Sequence, residues 1–167
     1  MVMIKYDALS RGYDELYGDE QRAKYNVLHL YIESCANAVV LDAGSGTCLL
    51  YEYMLSQSIT PKYYVGIDIS EGMISVAKSK RLLGGAVDLI QADIDYLPLR
   101  DKCIDITLCI TVLQNLPDPL KAVEELSRVT RRSIILSYPR KSPIEVPGVA
   151  LRSRQGVKDF FKVIEIL

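Results

Sequence analysis

The stretch AVVLDAGSGTC, residues 38–48, decides the fold. Four apolar residues run into Asp42 and then into a turn carrying Gly44 and Gly46. A short apolar run without alternation reads as a strand buried on both faces. Two glycines in so short a turn permit a tight bend and let a ligand approach the backbone closely. Behind the turn the spacing predicts a helix over Thr47–Ser56, with Leu49, Leu50, Tyr53 and Met54 apolar. Its first turn offers free N–H groups. By itself this strand-turn-helix unit suits a dinucleotide, a nucleoside or merely a tight connection.

Outward from that unit the same alternation repeats. YYVGIDIS (63–70) is a second strand, and Ser70 caps a helix through about Lys80. Gly84-Gly85 breaks the chain before a third strand, AVDLIQAD (86–93). CIDITLCI (103–110) is a fourth, Asp118 or Pro119 opens a helix to about Arg128, and SIILSYP (133–139) is a fifth. Upstream, Asp19 is a suitable N-cap for a first helix ending near Cys35, with Leu28, Tyr31, Ile32 and Cys35 on its buried face. Downstream, residues 140–152 read as a loop, Gln155–Phe160 as a short helix and KVIEIL (162–167) as a last strand.

Strands alternating with helices predict an α/β fold: a Rossmann-like three-layer sandwich with a mostly parallel central sheet. One domain is expected over 1–167, with a helical lid segment at 1–36, a ligand-binding core at 37–139 and a short tail at 140–167. Only 28 residues follow Pro139. The expectation is one further strand and no seventh, a sheet truncated at its C-terminal edge.

Composition narrows the function classes. A net charge of −1 gives no global pull toward nucleic acid or anionic lipid, though it leaves a local basic patch open. Arg128, Arg131, Arg132, Arg140, Lys141, Arg152, Arg154 and Lys158 are the residues for such a patch; a solvated surface is the bland alternative. No apolar run approaches the ~20 residues of a membrane span. The N-terminus lacks the order of a signal peptide, so the chain reads as cytoplasmic without membrane association. Cys35, Cys48, Cys103 and Cys109 form no C-x-x-C pair and His29 is the lone histidine. That is too sparse for zinc, so no metal is expected and the cysteines read as small buried hydrophobes.

In a doubly wound sheet, ligands lie at the carboxyl ends of the strands. Asp68 ends the second strand, 22 residues beyond Gly46, where an acid suits both hydroxyls of a ribose. Asp93 ends the third, where a carboxylate accepts from an exocyclic amine such as that of adenine. A nicotinamide-dependent oxidoreductase would use the glycine turn and Asp68, but has no need of Asp93. The chain also shows no Tyr-x-x-x-Lys hydride-transfer constellation.

These residues resemble the class I S-adenosylmethionine-dependent methyltransferases, in particular the methyltransferase type 11 and ubiquinone/menaquinone-biosynthesis-like groups. VVLDAGSGTC is similar to their first motif and GIDISEGMISVAK to their second. QADIDYLPLRDKCIDITLCITVLQNLPDP is similar to the stretch through the adenine acid and fourth strand. YDALSRGYDELY is similar to the paired Tyr-Asp segment ahead of the first motif, and the likeness covers residues 6–139. It implies S-adenosyl-L-methionine as cofactor and S-adenosyl-L-homocysteine as product. Asp42, Gly44, Ser45 and Gly46 would line the methionine part, Asp68 the ribose with Ile69 and Met73 alongside, and Asp93 and Ile94 the adenine. Ile110 and Thr111 would lie beside the sulfonium, with Tyr13 and Tyr6 closing over it.

Two departures stand out. The family has glycine where this chain has Cys48, and it adds a helix and two strands after the fifth strand. The resemblance names no acceptor: a small molecule, RNA and protein all remain open. No catalytic residue is evident. Asp118 fits a helix cap better than a base, while Gln114 and Asn115 sit where acceptor-orienting residues lie. A short tail also admits a second reading, a cofactor-binding subunit that needs an activating partner, or a second copy, on its open sheet edge.

Overall fold

Apolar strands without alternation are stable only where both faces are covered. The computed structural model, which describes residues 2–80, 86–151 and 157–166, covers them with helices on either side. In chain order the elements are α1 (Val2–Leu9), α2 (Tyr13–Val27), α3 (His29–Glu33), β1 (Val39–Ala43), α4 (Leu49–Ser56), β2 (Tyr63–Asp68) and α5 (Glu71–Ser79). Then follow β3 (Val87–Gln91), β4 (Ile104–Ile110), α6 (Pro119–Val129), β5 (Thr130–Pro139), β6 (Val149–Leu151) and β7 (Asp159–Glu165). The Gly84-Gly85 break lies outside the described residues.

The sheet order is β3-β2-β1-β4-β5-β7-β6. β1 to β5 are mutually parallel, and β7 runs antiparallel between β5 and β6. Strand order reverses between β1 and β4, so their carboxyl ends form the switch point where such sheets bind ligands. Successive β1 residues serve opposite layers. Val40 packs with Tyr25 of α2, Ile32 of α3, Met54 of α4 and Leu28 between α2 and α3. Leu41 packs with Ala122, Val123, Leu126 and Val129 of α6. α6 shows how local signals and burial agree: Asp118 Oδ1 accepts from Leu120 N and Lys121 N, and Pro119 opens the helix.

Three expectations need correction. The first long helix begins at Tyr13, and Asp19 lies inside it rather than capping it. Its buried face carries Gln21, Lys24 and Tyr25, so the stripe is half polar and an apolar-periodicity reading misses its N-terminal half. Among the described residues the sheet has seven strands and is not truncated. The seventh is the three-residue β6, inside the segment 140–152 read as loop. The short helix expected at Gln155–Phe160 is not formed where the chain is described. Asp159 and Phe160 already belong to β7, whose burial alternates through Asp159, Phe161 and Val163. What is missing is the helix between the fifth strand and its successor. There, Ile144 and Val146 of the loop pack on the α6 layer instead.

Cys35, Cys48 and Cys109 are buried, as expected of small hydrophobes. No helix among the described residues is long and apolar enough to cross a membrane.

Candidate functional site

At the switch point the ends of β1, β2 and β4 surround a cavity of about 210 Å³. The glycine turn forms its floor. Gly44 (φ 82°) packs so closely on Val112 that a Cβ there would collide with its side chain. Gly46 (φ 52°) faces open space, which leaves a cradle beside the backbone. Asp68 joins the turn to the second strand end. Its Oδ2 accepts from Gly46 N and its Oδ1 from Ser70 N, both at 2.8 Å. Burial raises the Asp68 carboxyl above its ordinary range, while those backbone bonds pull it down.

Of the residues singled out by sequence, Tyr13, Gly44, Gly46, Asp68, Ile69 and Met73 line this cavity. So do Asp93, Ile94, Ile110 and Thr111, with Tyr6 and Asn115 at the same cavity. Asp42 and Ser45 line a smaller adjoining cavity with Tyr13, Gly44 and Gly46. Gln114 stands behind the wall, donating from Nε2 to Thr111 O at 2.6 Å. Asp118 caps α6 and does not line the cavity. His29 is elsewhere, with its Nδ1 3.0 Å from Tyr53 Oη.

The two Tyr-Asp pairs divide their labour. Tyr6 and Tyr13 face the cavity. Tyr6 Oη accepts from Asn115 Nδ2 at 3.0 Å, which bridges α1 to the segment after β4. The aspartates tie the same helices down. Asp7 accepts from Ser70 Oγ and Gly72 N at the start of α5, and the Ser70 bond leads in lowering its carboxyl below the ordinary range. Asp14 accepts from Thr47 Oγ1 and pairs with Lys80 Nζ at 2.6 Å.

Polar groups in the smaller cavity await partners. Gln21 Oε1 and Ser45 Oγ are buried with no hydrogen-bond partner, and both residues line it. An orphaned buried acceptor costs roughly 1–3 kcal/mol, so such a pair marks a place for donors such as an ammonium group. Asp42, buried beside them, accepts from Tyr64 Oη at 2.5 Å. Burial pushes its carboxyl up to about 7.

Sequence reasoning missed Gln21, because the helix was expected to begin near it and polar residues carry no core signal. It also missed Val112, Leu116 and Asp95 on the cavity wall. Asp95 was visible only as the neighbour of the Asp93-Ile94 pair.

Fold and site together define a Rossmann-like domain with a cavity across the carboxyl ends of its parallel strands. Residues 41–136 match the methyltransferase domain family, and the chain belongs to it. It is 30% identical over 146 residues to a malonyl-[acyl-carrier protein] O-methyltransferase of a Marinomonas strain, covering 87% of this chain and 53% of that protein. The curated relatives it matches first are longer; the chain spans between 53% and 61% of their length. The fold is shared with an S-adenosylmethionine-dependent methyltransferase of Aquifex aeolicus, at TM-score 0.65 and 22% identity over 79% of this chain and 84% of that one. It is also shared with the methyltransferase of a Haloferax volcanii complex with the Trm112 activator, at TM-score 0.67 and 18% identity over 80% and 59%.

Proposed function

We propose that this chain binds S-adenosyl-L-methionine in the cavity and transfers its methyl group to an acceptor, leaving S-adenosyl-L-homocysteine. One observation carries the reading: Asp68 spans the glycine turn and the second strand end, with orphaned Gln21 Oε1 and Ser45 Oγ in the adjoining cavity. An adenosine with an amino-acid tail satisfies both ends. Asp68 would hold the ribose hydroxyls, and Asp93 and Ile94 the adenine. Asp42, Ser45 and Gln21 would take the ammonium end. Once bound, the sulfonium supplies an activated methyl group with a neutral leaving group.

The protein's share is orientation and exclusion of water. Burial is the leading cause that raises the phenols of Tyr6 and Tyr13, so both stay neutral and serve as walls rather than bases. We favour a small-molecule acceptor. Arg128 is tied to Glu125 and Asp101, and Arg131 to Asp105, which commits two of the cations that an RNA-facing patch would need. A second reading, activity only with a protein partner, draws on the edge at β6 and β7, where Val149 is 71% and Phe160 45% exposed.

Calorimetric titration with S-adenosylmethionine, S-adenosylhomocysteine and NAD tests the reading, on the wild type and on Asp68→Ala. Binding of the two sulfur nucleosides, lost in the variant and absent for NAD, is expected. NAD binding in their place would refute it. Cofactor binding without transfer to any acceptor would favour the partner-dependent form.

A further inference from the structure

Lys24 lies in the last turn of α2 with 1% of its side chain exposed. Its ammonium meets three acceptors: Glu20 Oε1 at 2.8 Å, Thr111 Oγ1 at 2.9 Å and Asp159 Oδ2 at 3.3 Å. Asp159, at the start of β7, is also buried, and its Oδ2 accepts from Ser137 Oγ and Thr111 Oγ1, each at 3.1 Å. A buried ion pair is a poor source of stability, because an apolar pair of the same volume does as well. Its use must be sought in what it holds.

What it holds is Thr111. This residue directly follows β4, lines the cavity and has φ 61°, a left-handed conformation that β-branched side chains rarely adopt. Every polar atom of it is tethered. Thr111 N donates to Ser137 O at 2.9 Å and Ser137 Oγ at 3.1 Å, its carbonyl accepts from Gln114, and its hydroxyl sits between Lys24 and Asp159. Strain of this kind persists only where the surroundings over-determine it.

We propose that Lys24 and Asp159 are positioning residues: their buried pair holds Thr111 in its left-handed conformation and so fixes the cavity wall that meets the methyl-bearing sulfur. The proposal rests on the cofactor reading above. Neither residue lines the cavity itself, so their influence passes through Thr111. S-adenosylmethionine and S-adenosylhomocysteine differ only in the methyl group and the charge on sulfur. Displacing Thr111 therefore weakens the first more than the second, whereas a general loosening of the fold weakens both alike.

The test is calorimetry with both ligands on the wild type, on Lys24→Met/Asp159→Asn, and on that pair combined with Thr111→Gly. The double variant removes both charges together and leaves an amide oxygen for Ser137 and Thr111. It should lose about tenfold more affinity for S-adenosylmethionine than for S-adenosylhomocysteine, the scale of one unheld left-handed residue. Glycine takes that conformation unaided, so Thr111→Gly in the same background should recover most of the selective loss. Equal losses for both ligands, no loss, or no recovery with glycine would overturn the proposal. If the double variant does not fold, Thr111→Val decides: it keeps the side-chain shape and cuts the hydroxyl link to Lys24 and Asp159, so a selective loss supports the proposal and its absence overturns it. A wild type that binds neither ligand refutes the cofactor reading, and the proposal falls with it. Wild-type binding with unchanged variants refutes the positioning role alone.

Discussion

Asp42 should make the stability of this protein fall with rising pH. It lies within β1 at 4% exposure, with the Tyr64 phenol donating to its Oδ2. Burial raises its carboxyl to about 7, against the lowering effect of the Tyr64 bond and with a smaller upward push from Asp68. In the unfolded chain the same group titrates near ~3.9, and each unit of difference is worth about 1.4 kcal/mol. The gap of about 3 units sets a ceiling of about 4 kcal/mol. The folded state holds the proton more tightly than the unfolded state. The contribution is therefore complete below about pH 4 and is lost as pH rises through about 7.

Asp42→Asn keeps an acceptor for Tyr64 and cannot ionise. Its stability relative to wild type should climb with pH, reaching a gain of about 2–4 kcal/mol at pH 8. Taking the difference between the two proteins cancels the other titrating groups, Asp68 among them. Urea unfolding followed by far-UV circular dichroism at several pH values measures it, since the chain has no Trp to report by fluorescence. A variant-minus-wild-type difference that stays constant from about pH 5 to 8 would refute the reasoning.

Cys48 stands at φ 66°, just before α4, and is buried. Cys48→Val should lose at least about 1–2 kcal/mol in chemical unfolding, whereas Cys48→Gly should stay within about 1 kcal/mol of wild type because relief of the backbone offsets the lost thiol packing. Asp118→Ala should cost about 1 kcal/mol, the value of a helix cap, with cofactor affinity by calorimetry unchanged; a loss of affinity larger than the loss of stability would argue for a direct role at the site.

Much of this site could be read from spacing because each residue sits at the end of a strand or at the start of a helix. Gly44, Gly46, Asp68 and Asp93 follow apolar runs whose ends are marked by local chemistry, and parallel pairing brings those ends to one edge of the sheet. Ser70 and Asp118 declare their helices through caps that operate within three residues. Gln21 and Lys24 were invisible for the opposite reason. Their burial depends on partners far along the chain, and Lys24 meets Asp159 across 135 residues. The β6–β7 pairing was missed likewise, because a three-residue strand has too few positions to show a period and is defined by its neighbour.

The sequence by itself determined the order of strands and helices, the parallel core and the acids and glycines at its carboxyl edge, since these follow from local periodicity, capping and the conformational freedom of glycine. Only the tertiary structure decided which polar residues are buried, that Cys48 and Thr111 take left-handed backbones, and that the sheet closes with a seventh strand. Those features arise from contacts between segments distant in the chain, where the cost of burying a charge or straining a backbone is offset by partners that no local pattern identifies.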